Sequence, residues 1–155
     1  MALPYIENKA NYVLAPNDAK DNNFVYIHEE VIKGIHAPSF ELLSTWYAQD
    51  KDTIYSSGKA LDVNRDEAQL LGDIYISDKK NVFFADKLIE HADPVSFKSI
   101  SDGSNLAMDD QYVYFRENII EGADSHSFYV INDHHCRDNK SNYTLHHGEW
   151  LSSLA

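Results

Sequence analysis

The stretch "DDQYVYFRENIIEGADSHSF" (109–128) carries the pattern that decides the fold. Two other segments, "DNNFVYIHEEVIKGIHAPSF" (21–40) and "DKKNVFFADKLIEHADPVSF" (78–97), align with it without gaps, and "DKDTIYSSGKALDVNRDEAQLL" (50–71) matches its first half. The leading aspartates, with Asp138 at the head of a truncated copy, recur every 28 to 31 residues. A fixed period of this length is typical of repeat proteins, whose units bury their apolar faces against neighbouring units.

Each repeat begins with the pattern of a β-hairpin. A β-branched residue stands four positions after the aspartate and an aromatic residue follows it, as in Val25-Tyr26, Ile54-Tyr55, Val82-Phe83 and Val113-Tyr114. Successive side chains of a strand point to opposite faces, so both faces of this strand carry bulky residues. A polar pair and a returning apolar residue come next, which predicts a hairpin tip and a second strand.

The second half of each repeat predicts a turn over a buried aromatic ring. Asp93 before Pro94 has the pattern of a helix N-cap followed by a first-turn proline, which predicts a single helical turn. Phe40, Phe97 and Phe128 each stand 15 residues after the β-branched position, and we expect them to fill the core beneath the hairpin. A third short strand then leads to the next aspartate.

The predicted fold is therefore mainly β. We expect an array of about four to five repeats of about 29 residues, each a β-hairpin plus a short third strand and a single helical turn. Together the strands would form a curved antiparallel sheet, for which an open stack is favoured over a closed ring. The chain is expected to be a single domain, 1–155, with units near 21–49, 50–77, 78–108 and 109–137 and a partial unit at 138–150.

The recurring aspartates (21, 50, 78, 109 and 138) have two interpretations. Each carboxylate can cap the turn that enters the hairpin, by accepting a hydrogen bond from a backbone N–H two residues further on. Alternatively, they form a row that binds Ca²⁺ or a basic ligand. The regular recurrence favours the structural role, because every repeat has to rebuild the same turn.

Composition limits the class of protein and its partners. The 155 residues include 13 Lys and Arg against 25 Asp and Glu, a formal charge of -12. Such a charge repels nucleic acid and anionic lipid and attracts basic protein surfaces. The single cysteine excludes an internal disulfide, and neither a signal peptide nor a membrane-spanning run is recognisable. A cytoplasmic location is expected, with no nucleic acid or membrane as partner.

The segment "INDHHCRDNK" (131–140) contains the letters of a zinc-dependent acyltransferase signature, Asp133 to Cys136. Candidate metal ligands near it are His134, His135, Cys136, His146 and His147. Adjacent histidines on a strand point to opposite faces, so each pair offers one ligand to a common site. Cys136 aligns with Ala48, Ile76 and Ala107 of the other repeats, which predicts a packed thiol. We expect no catalytic site, no metal and no cofactor, although a small hydrolase that uses histidines and carboxylates near the C-terminus stays open.

The motifs "DKDTIYSSGK", "DKKNVFFADKLIEHADPVSF" and "DDQYVYFRENIIEGADSHSF" resemble the DKNYY family of bacterial proteins over roughly residues 21–140. This resemblance implies a repeat architecture more than an activity. Many members of the family look like secreted or lipid-anchored proteins. This chain differs from them in that no signal sequence is expected in it. Others look like small immunity proteins encoded beside bacterial toxins.

These observations predict a non-enzymatic immunity protein of interbacterial competition. It would bind a cognate toxin that acts in the cytosol and occlude the toxin's active site with an acidic surface. That toxin domain is expected to be basic. The alternative is a repeat module that binds a peptide or carbohydrate through a row formed by Tyr26, Tyr55 and Tyr114, although a packed ladder of these rings is favoured. The expected partner-binding residues are Glu29, Glu30, Asp62, Asp66, Glu67, Asp86, Asp109, Asp110 and Glu117.

Overall fold

The computed structural model of the chain describes residues 19–27, 30–101, 103 and 105–154. The chain divides into two compact units, of which the first ends at Arg65 and the second begins at Asp66. Each unit is described by itself below. The assignment of residues 1–155 to one domain stays a prediction.

The first unit contains two antiparallel sheets in its described part. Their strands are β1 (Ala19–Lys20), β2 (Val25–Ile27), β3 (Glu30–Ile32), β4 (Glu41–Leu42), β5 (Tyr47–Gln49), β6 (Ile54–Ser56) and β7 (Lys59–Ala60). Sheet 1 has the order β1-β2-β3 and sheet 2 has the order β4-β5-β6-β7. A 3-10 helix, Ala37–Ser39, lies between the two sheets in the chain, and a second one, Arg65–Glu67, follows β7.

The second unit contains three antiparallel sheets of four strands. Their strands are β8 (Gln69–Leu71), β9 (Tyr75–Ser77), β10 (Val82–Phe84), β11 (Lys87–Leu88), β12 (Lys98–Ser99), β13 (Leu106–Met108), β14 (Val113–Phe115), β15 (Asn118–Ile119), β16 (Tyr129–Asn132), β17 (His135–Arg137), β18 (Ser141–His146) and β19 (Glu149–Leu154). Sheet 3 holds β8 to β11, sheet 4 holds β12 to β15 and sheet 5 holds β16 to β19. In each sheet, strands that follow one another in the chain are neighbours.

The predicted hairpins are confirmed in the repeats that begin at Asp21, Asp50, Asp78 and Asp109. The β-branched residues Val25, Ile54, Val82 and Val113 all lie in strands, and each is at most 1% exposed. Each of these strands pairs with the returning strand, for example Tyr55 with Ala60. The turn between β6 and β7 has positive φ at Ser57 and Gly58, the mirror-image turn whose twist matches that of paired strands.

The mainly β, antiparallel class is confirmed, but the strands form separate small sheets instead of one continuous sheet. The predicted third strand is in fact two strands. In residues 41–50 the Ser44 hydroxyl accepts hydrogen bonds from the N–H groups of Trp46 and Tyr47, at 3.1 and 3.2 Å, and this turn separates β4 from β5. Sheets 2 to 5 therefore combine the last strands of one sequence unit with the hairpin of the next.

The predicted helical turn takes two forms. Residues Ala37–Ser39 form a 3-10 helix, whereas residues 94–96 and 125–127 form hydrogen-bonded turns without a helix. Asp93 does cap its turn, because its carboxylate accepts hydrogen bonds from the Val95 N–H at 3.1 Å and the Ser96 hydroxyl at 2.6 Å.

The cores of both units are built from equivalent residues. In the first unit, Val25, Phe40, Ala48 and Tyr55 belong to one buried cluster. In the second unit, one buried cluster joins sheets 3 and 4, and another joins sheets 4 and 5. These sheets therefore pack face to face.

The predicted role of the repeated phenylalanines is also confirmed. Phe40, Phe97 and Phe128 are at most 8% exposed. The ring of Phe97 lies 5.4 Å from the rings of both Tyr75 and Tyr114, so it fills the space between sheets 3 and 4.

In the described part of the chain, no helix has the length and apolar character needed to cross a membrane.

Candidate functional site

The repeated aspartates are the most regular polar groups of the structure, and Asp109 shows their arrangement. Its Oδ1 accepts hydrogen bonds from the backbone N–H groups of Gln111 and Tyr112, at 2.8 and 2.7 Å. Its Oδ2 accepts one from the Tyr114 hydroxyl at 2.7 Å and one from the Asp93 N–H at 3.0 Å. One carboxylate therefore closes its own turn and also holds the loop that precedes it by sixteen residues.

The same contacts recur around Asp50 and Asp138. Each accepts two N–H groups of its own turn, one tyrosine hydroxyl (Tyr55 or Tyr143) and one N–H from fourteen residues earlier. Burial acts to raise the pKa of both carboxyl groups, but these hydrogen bonds outweigh it and hold both pKa values below the ordinary 3.8. The turn-capping role predicted for the repeated aspartates is confirmed.

Burial decides against the alternative role of these aspartates. Asp50, Asp78, Asp109 and Asp138 are each at most 7% exposed. A row of carboxylates for a basic ligand would have to be accessible, and these are enclosed and already hydrogen-bonded within the chain. The assignment of Asp109 to a partner-binding surface is therefore wrong, because its side chain is 4% exposed and both of its oxygens accept internal hydrogen bonds.

The tyrosines that follow the β-branched positions form part of the packing. Tyr55 is 7% exposed and Tyr114 is fully buried, while Tyr26 is partly buried. The hydroxyls of all three bond to the aspartate five residues before them. This is the packed arrangement that was favoured, and it leaves Tyr55 and Tyr114 without a face for a carbohydrate or peptide.

The histidine-rich segment contains no assembled nucleophile. Cys136 is 1% exposed and packs in the buried cluster between sheets 4 and 5, so the predicted packed thiol is confirmed. Burial raises the pKa of this thiol to about 12, which suppresses the reactive thiolate. The neighbouring His135 is exposed on the other face of β17. Over residues 19–27, 30–101, 103 and 105–154, no group of three or more His, Cys, Asp or Glu is arranged to hold a metal ion.

The expected acidic surface is distributed over both ends of the sheets. In the second unit we call the end that carries the loops of Asp78, Asp109 and Asp138 the turn end, and the end that carries the hairpin turns 85–86, 116–117 and 147–148 the tip end. The strand bounds place Asp66, Glu67 and Asp110 at the turn end and Asp86 and Glu117 at the tip end. These five residues therefore form two surfaces and not one.

The remaining acids of the expected surface belong to the first unit. Glu30 is exposed at the start of β3, and Asp62 is exposed two residues after β7. By the strand directions, Glu30 lies at the hairpin end of sheet 1, and Asp62 lies at the end of sheet 2 that carries Asp50. Glu29 lies outside the described residues.

At the tip end, negative charge is offset within the chain. The Lys87 ammonium bonds to the Glu117 carboxylate across sheets 3 and 4. This hydrogen bond holds the pKa of Glu117 below its usual range. The two hairpin tips do point to the same side, as expected for units stacked in register, but their acids have a basic partner between them. This end is the weaker candidate for capturing a basic protein.

At the turn end, an acidic recess of about 430 Å³ opens beside an apolar residue. Asp66 and Glu67 of the 3-10 helix line it together with Asp78, Lys79 and Val95. Lys79 pairs with Glu67 at 2.7 Å, whereas Asp66 is exposed. The side chain of Val95 is 89% exposed, the most exposed valine among the described residues. Sequence reasoning missed Val95, and its only signal was an apolar residue where the aligned repeat has His126.

The fold and these sites define a class, a repeat protein of small antiparallel sheets whose repeated aspartates and tyrosines serve structure. The DKNYY family matches residues 3–59 and 54–115, which is more than half of the chain. The chain therefore belongs to the DKNYY family, as its motifs indicated. No curated protein and no solved structure matches it.

Proposed function

We propose that the protein is a non-enzymatic immunity protein that binds and neutralises a cognate bacterial toxin in the cytosol. The observation that carries this proposal is the recess at the turn end, where Asp66 and Glu67 lie beside the exposed Val95. An acidic pocket next to an exposed apolar side chain has the composition of a small protein-binding site, since protein interfaces combine an apolar centre with a polar rim.

The chemistry of the buried groups supports a binding role over a catalytic one. The buried aspartates have their oxygens occupied by backbone N–H groups, and the thiol of Cys136 is enclosed with a raised pKa. Catalytic acids and nucleophiles instead need an accessible position in a cleft and a pKa close to the working pH. The hydrolase alternative therefore has no supporting contact among the described residues.

Charge would direct the encounter between the two proteins. A net charge of -12 attracts a basic toxin over long range and raises the rate of association at low salt. Glu67 already pairs with Lys79, so a lysine or arginine of the toxin would approach the exposed Asp66 at the recess, while Val95 packs on an apolar part of the toxin. The bound inhibitor would cover the toxin's active-site cleft and exclude its substrate.

The test uses the protein encoded by the gene adjacent to this one, taken as the toxin to be tested, and the double variant Asp66→Lys with Val95→Asp. Both side chains are exposed, so the fold should be retained, which circular dichroism would verify. We expect the association rate to fall about tenfold or more, and cells that express the toxin to lose protection. The matched control is Asp133→Lys with Ile131→Asp, the same charge change at the tip end of the second unit, where Asp133 is exposed and Ile131 is 55% exposed. Unchanged capture by the recess variant would exclude this surface, and a toxin that the wild-type chain does not bind would exclude the function.

A further inference from the structure

The edge of sheet 5 differs from every other sheet edge among the described residues. Its last strand, β19, has six residues, whereas the other edge strands have two to four. Proteins shield sheet edges by keeping them short, by bulges, or by lysine and proline. The opposite edge of the same sheet, β16, is interrupted by a bulge between Val130 and Asn132. Strand β19 has none of these devices.

The residues of β19 favour pairing with another strand. The sequence "EWLSSL" (149–154) contains one charge, no proline and no glycine. It pairs with β18 in an unbroken register from Ser141–Leu154 to His146–Glu149. Leu151 is 54% exposed and Leu154 is 90% exposed. Within the described chain β18 is its one paired neighbour, so its outer row of backbone groups faces outward.

A cleft continues this edge towards sheet 4. It has a volume of about 600 Å³ and is lined by Phe115, Ile119, Trp150 and Leu151, among others. The ring of Trp150 packs edge-on against that of Phe115, with centroids 6.1 Å apart. Its indole N–H is buried and has no hydrogen-bond partner among the described residues. The cleft beside this edge therefore has a mixed lining, in which apolar side chains lie next to Glu121 and Glu149.

We propose that β19 pairs with β19 of a second copy of this chain, which joins the two copies of sheet 5 across a two-fold axis. Two antiparallel copies of one strand must pair residues of the same face, so their register is centred on a residue. A register centred on Ser152 places Leu154 opposite Trp150 of the second copy and Leu151 opposite Ser153. No glutamate faces another glutamate, so the strand is compatible with itself despite the acidic charge of the chain.

The inference concerns a different surface from the recess at the turn end and does not depend on the proposed function. An interface built on one six-residue strand is small, and small interfaces bind weakly. Sedimentation equilibrium of the full chain up to about 1 mM, a concentration that reveals weak association, is the measurement. We expect twice the 17.7 kDa mass of one chain at the upper concentrations.

Two variants of equal charge separate this edge from a general effect of charge. Ser152→Lys places two ammonium groups opposite each other, and it should raise the dissociation constant about tenfold or more. Leu88→Lys introduces the same charge on the two-residue edge strand β11, where the side chain is 50% exposed, and should leave the dimer unchanged. A single-chain mass at every concentration, or a dimer that tolerates Ser152→Lys, would overturn the proposal.

A cross-link tests the register itself. In a Cys136→Ala background, Ser152→Cys would face its own copy at a Cα distance of about 4.5–5.5 Å, within reach of a disulfide. Ser153→Cys would lie diagonally from its copy at about 7–8 Å, beyond that reach. Rapid oxidation to a covalent dimer is therefore expected for Ser152→Cys alone. Equal cross-linking of the two variants would contradict a register centred on Ser152.

Discussion

The hydrogen bond between Tyr114 and Asp109 offers the most direct test of how the repeats are stabilised. The hydroxyl donates to Oδ2 at 2.7 Å, and the two side chains are 0% and 4% exposed. Tyr114→Phe removes this donor and keeps the ring that packs on Phe97. A hydrogen bond to a charged group contributes about 1.5–3 kcal/mol to the free energy of unfolding. For a chain of this size, a loss of 2 kcal/mol lowers Tm by about 4–8 °C.

Urea unfolding followed by circular dichroism and tryptophan fluorescence would measure this loss. The control is Tyr112→Phe, the same substitution two residues away at a ring that is 37% exposed, for which we expect a change within about 0.5 kcal/mol. Asp109→Asn completes a double-mutant cycle, since the amide oxygen can still accept the two N–H groups of the turn, whereas the amide nitrogen in place of Oδ2 accepts neither the Tyr114 hydroxyl nor the Asp93 N–H. A coupling energy of about 1 kcal/mol or more between positions 109 and 114 is expected. Equal effects of Tyr114→Phe and Tyr112→Phe would refute the reasoning.

Three further predictions concern ionisable groups in the core. Cys136→Ala should cost little stability, because Ala107 occupies the equivalent buried position. The native thiol should resist alkylating reagents until the protein unfolds, because it is buried and its pKa is raised. Rapid labelling of the folded protein at pH 8 would contradict its burial. Because the folded-state pKa values of Asp50 and Asp138 lie below 3.8, their stabilisation is present above that pH and is lost as the pH falls through the folded values. The pH dependence of Tyr143 runs in the opposite direction. Burial raises its pKa from 10.0 to about 12, so its contribution to stability is present below pH 10 and is lost as the pH rises from 10 to about 12. Urea midpoints that stay constant from pH 5 to 3 and from pH 9 to 12 would contradict both statements.

The hairpins were predictable from the sequence because their determinants are local. Val82 and Val113 each stand four residues after the repeated aspartate, and this spacing predicts a strand. Because the same pattern recurs in the other repeats, each repeat supports the prediction separately. The aspartate turn was predictable for the same reason, since its acceptor and the first donors are two and three residues apart. Three gap-free copies also indicated the family that the comparison shows.

The division into separate sheets was harder to predict because it depends on weak turn signals. The Ser44 hydroxyl accepts hydrogen bonds from the N–H groups of the turn that separates β4 from β5. A single serine in a polar stretch does not by itself predict such a turn. The position of each acid at one end or the other of a sheet likewise depends on strand direction. Asp109 and Asp110 are neighbours in the sequence, yet one is buried and the other is exposed. Composition counts both as surface charge.

The aspartate arrangement has a consequence for how the chain acquires its structure. The carboxylates of Asp50, Asp109 and Asp138 bond to groups at most five residues after them and at most sixteen before them. These contacts are short-range in sequence, and proteins dominated by such contacts fold quickly, because little loop entropy is lost before the first contacts form. A chain emerging from the ribosome can thus form the contacts of one aspartate turn before the residues of the next sheet have been synthesised, and the core of that sheet is completed when the next sheet covers its apolar face.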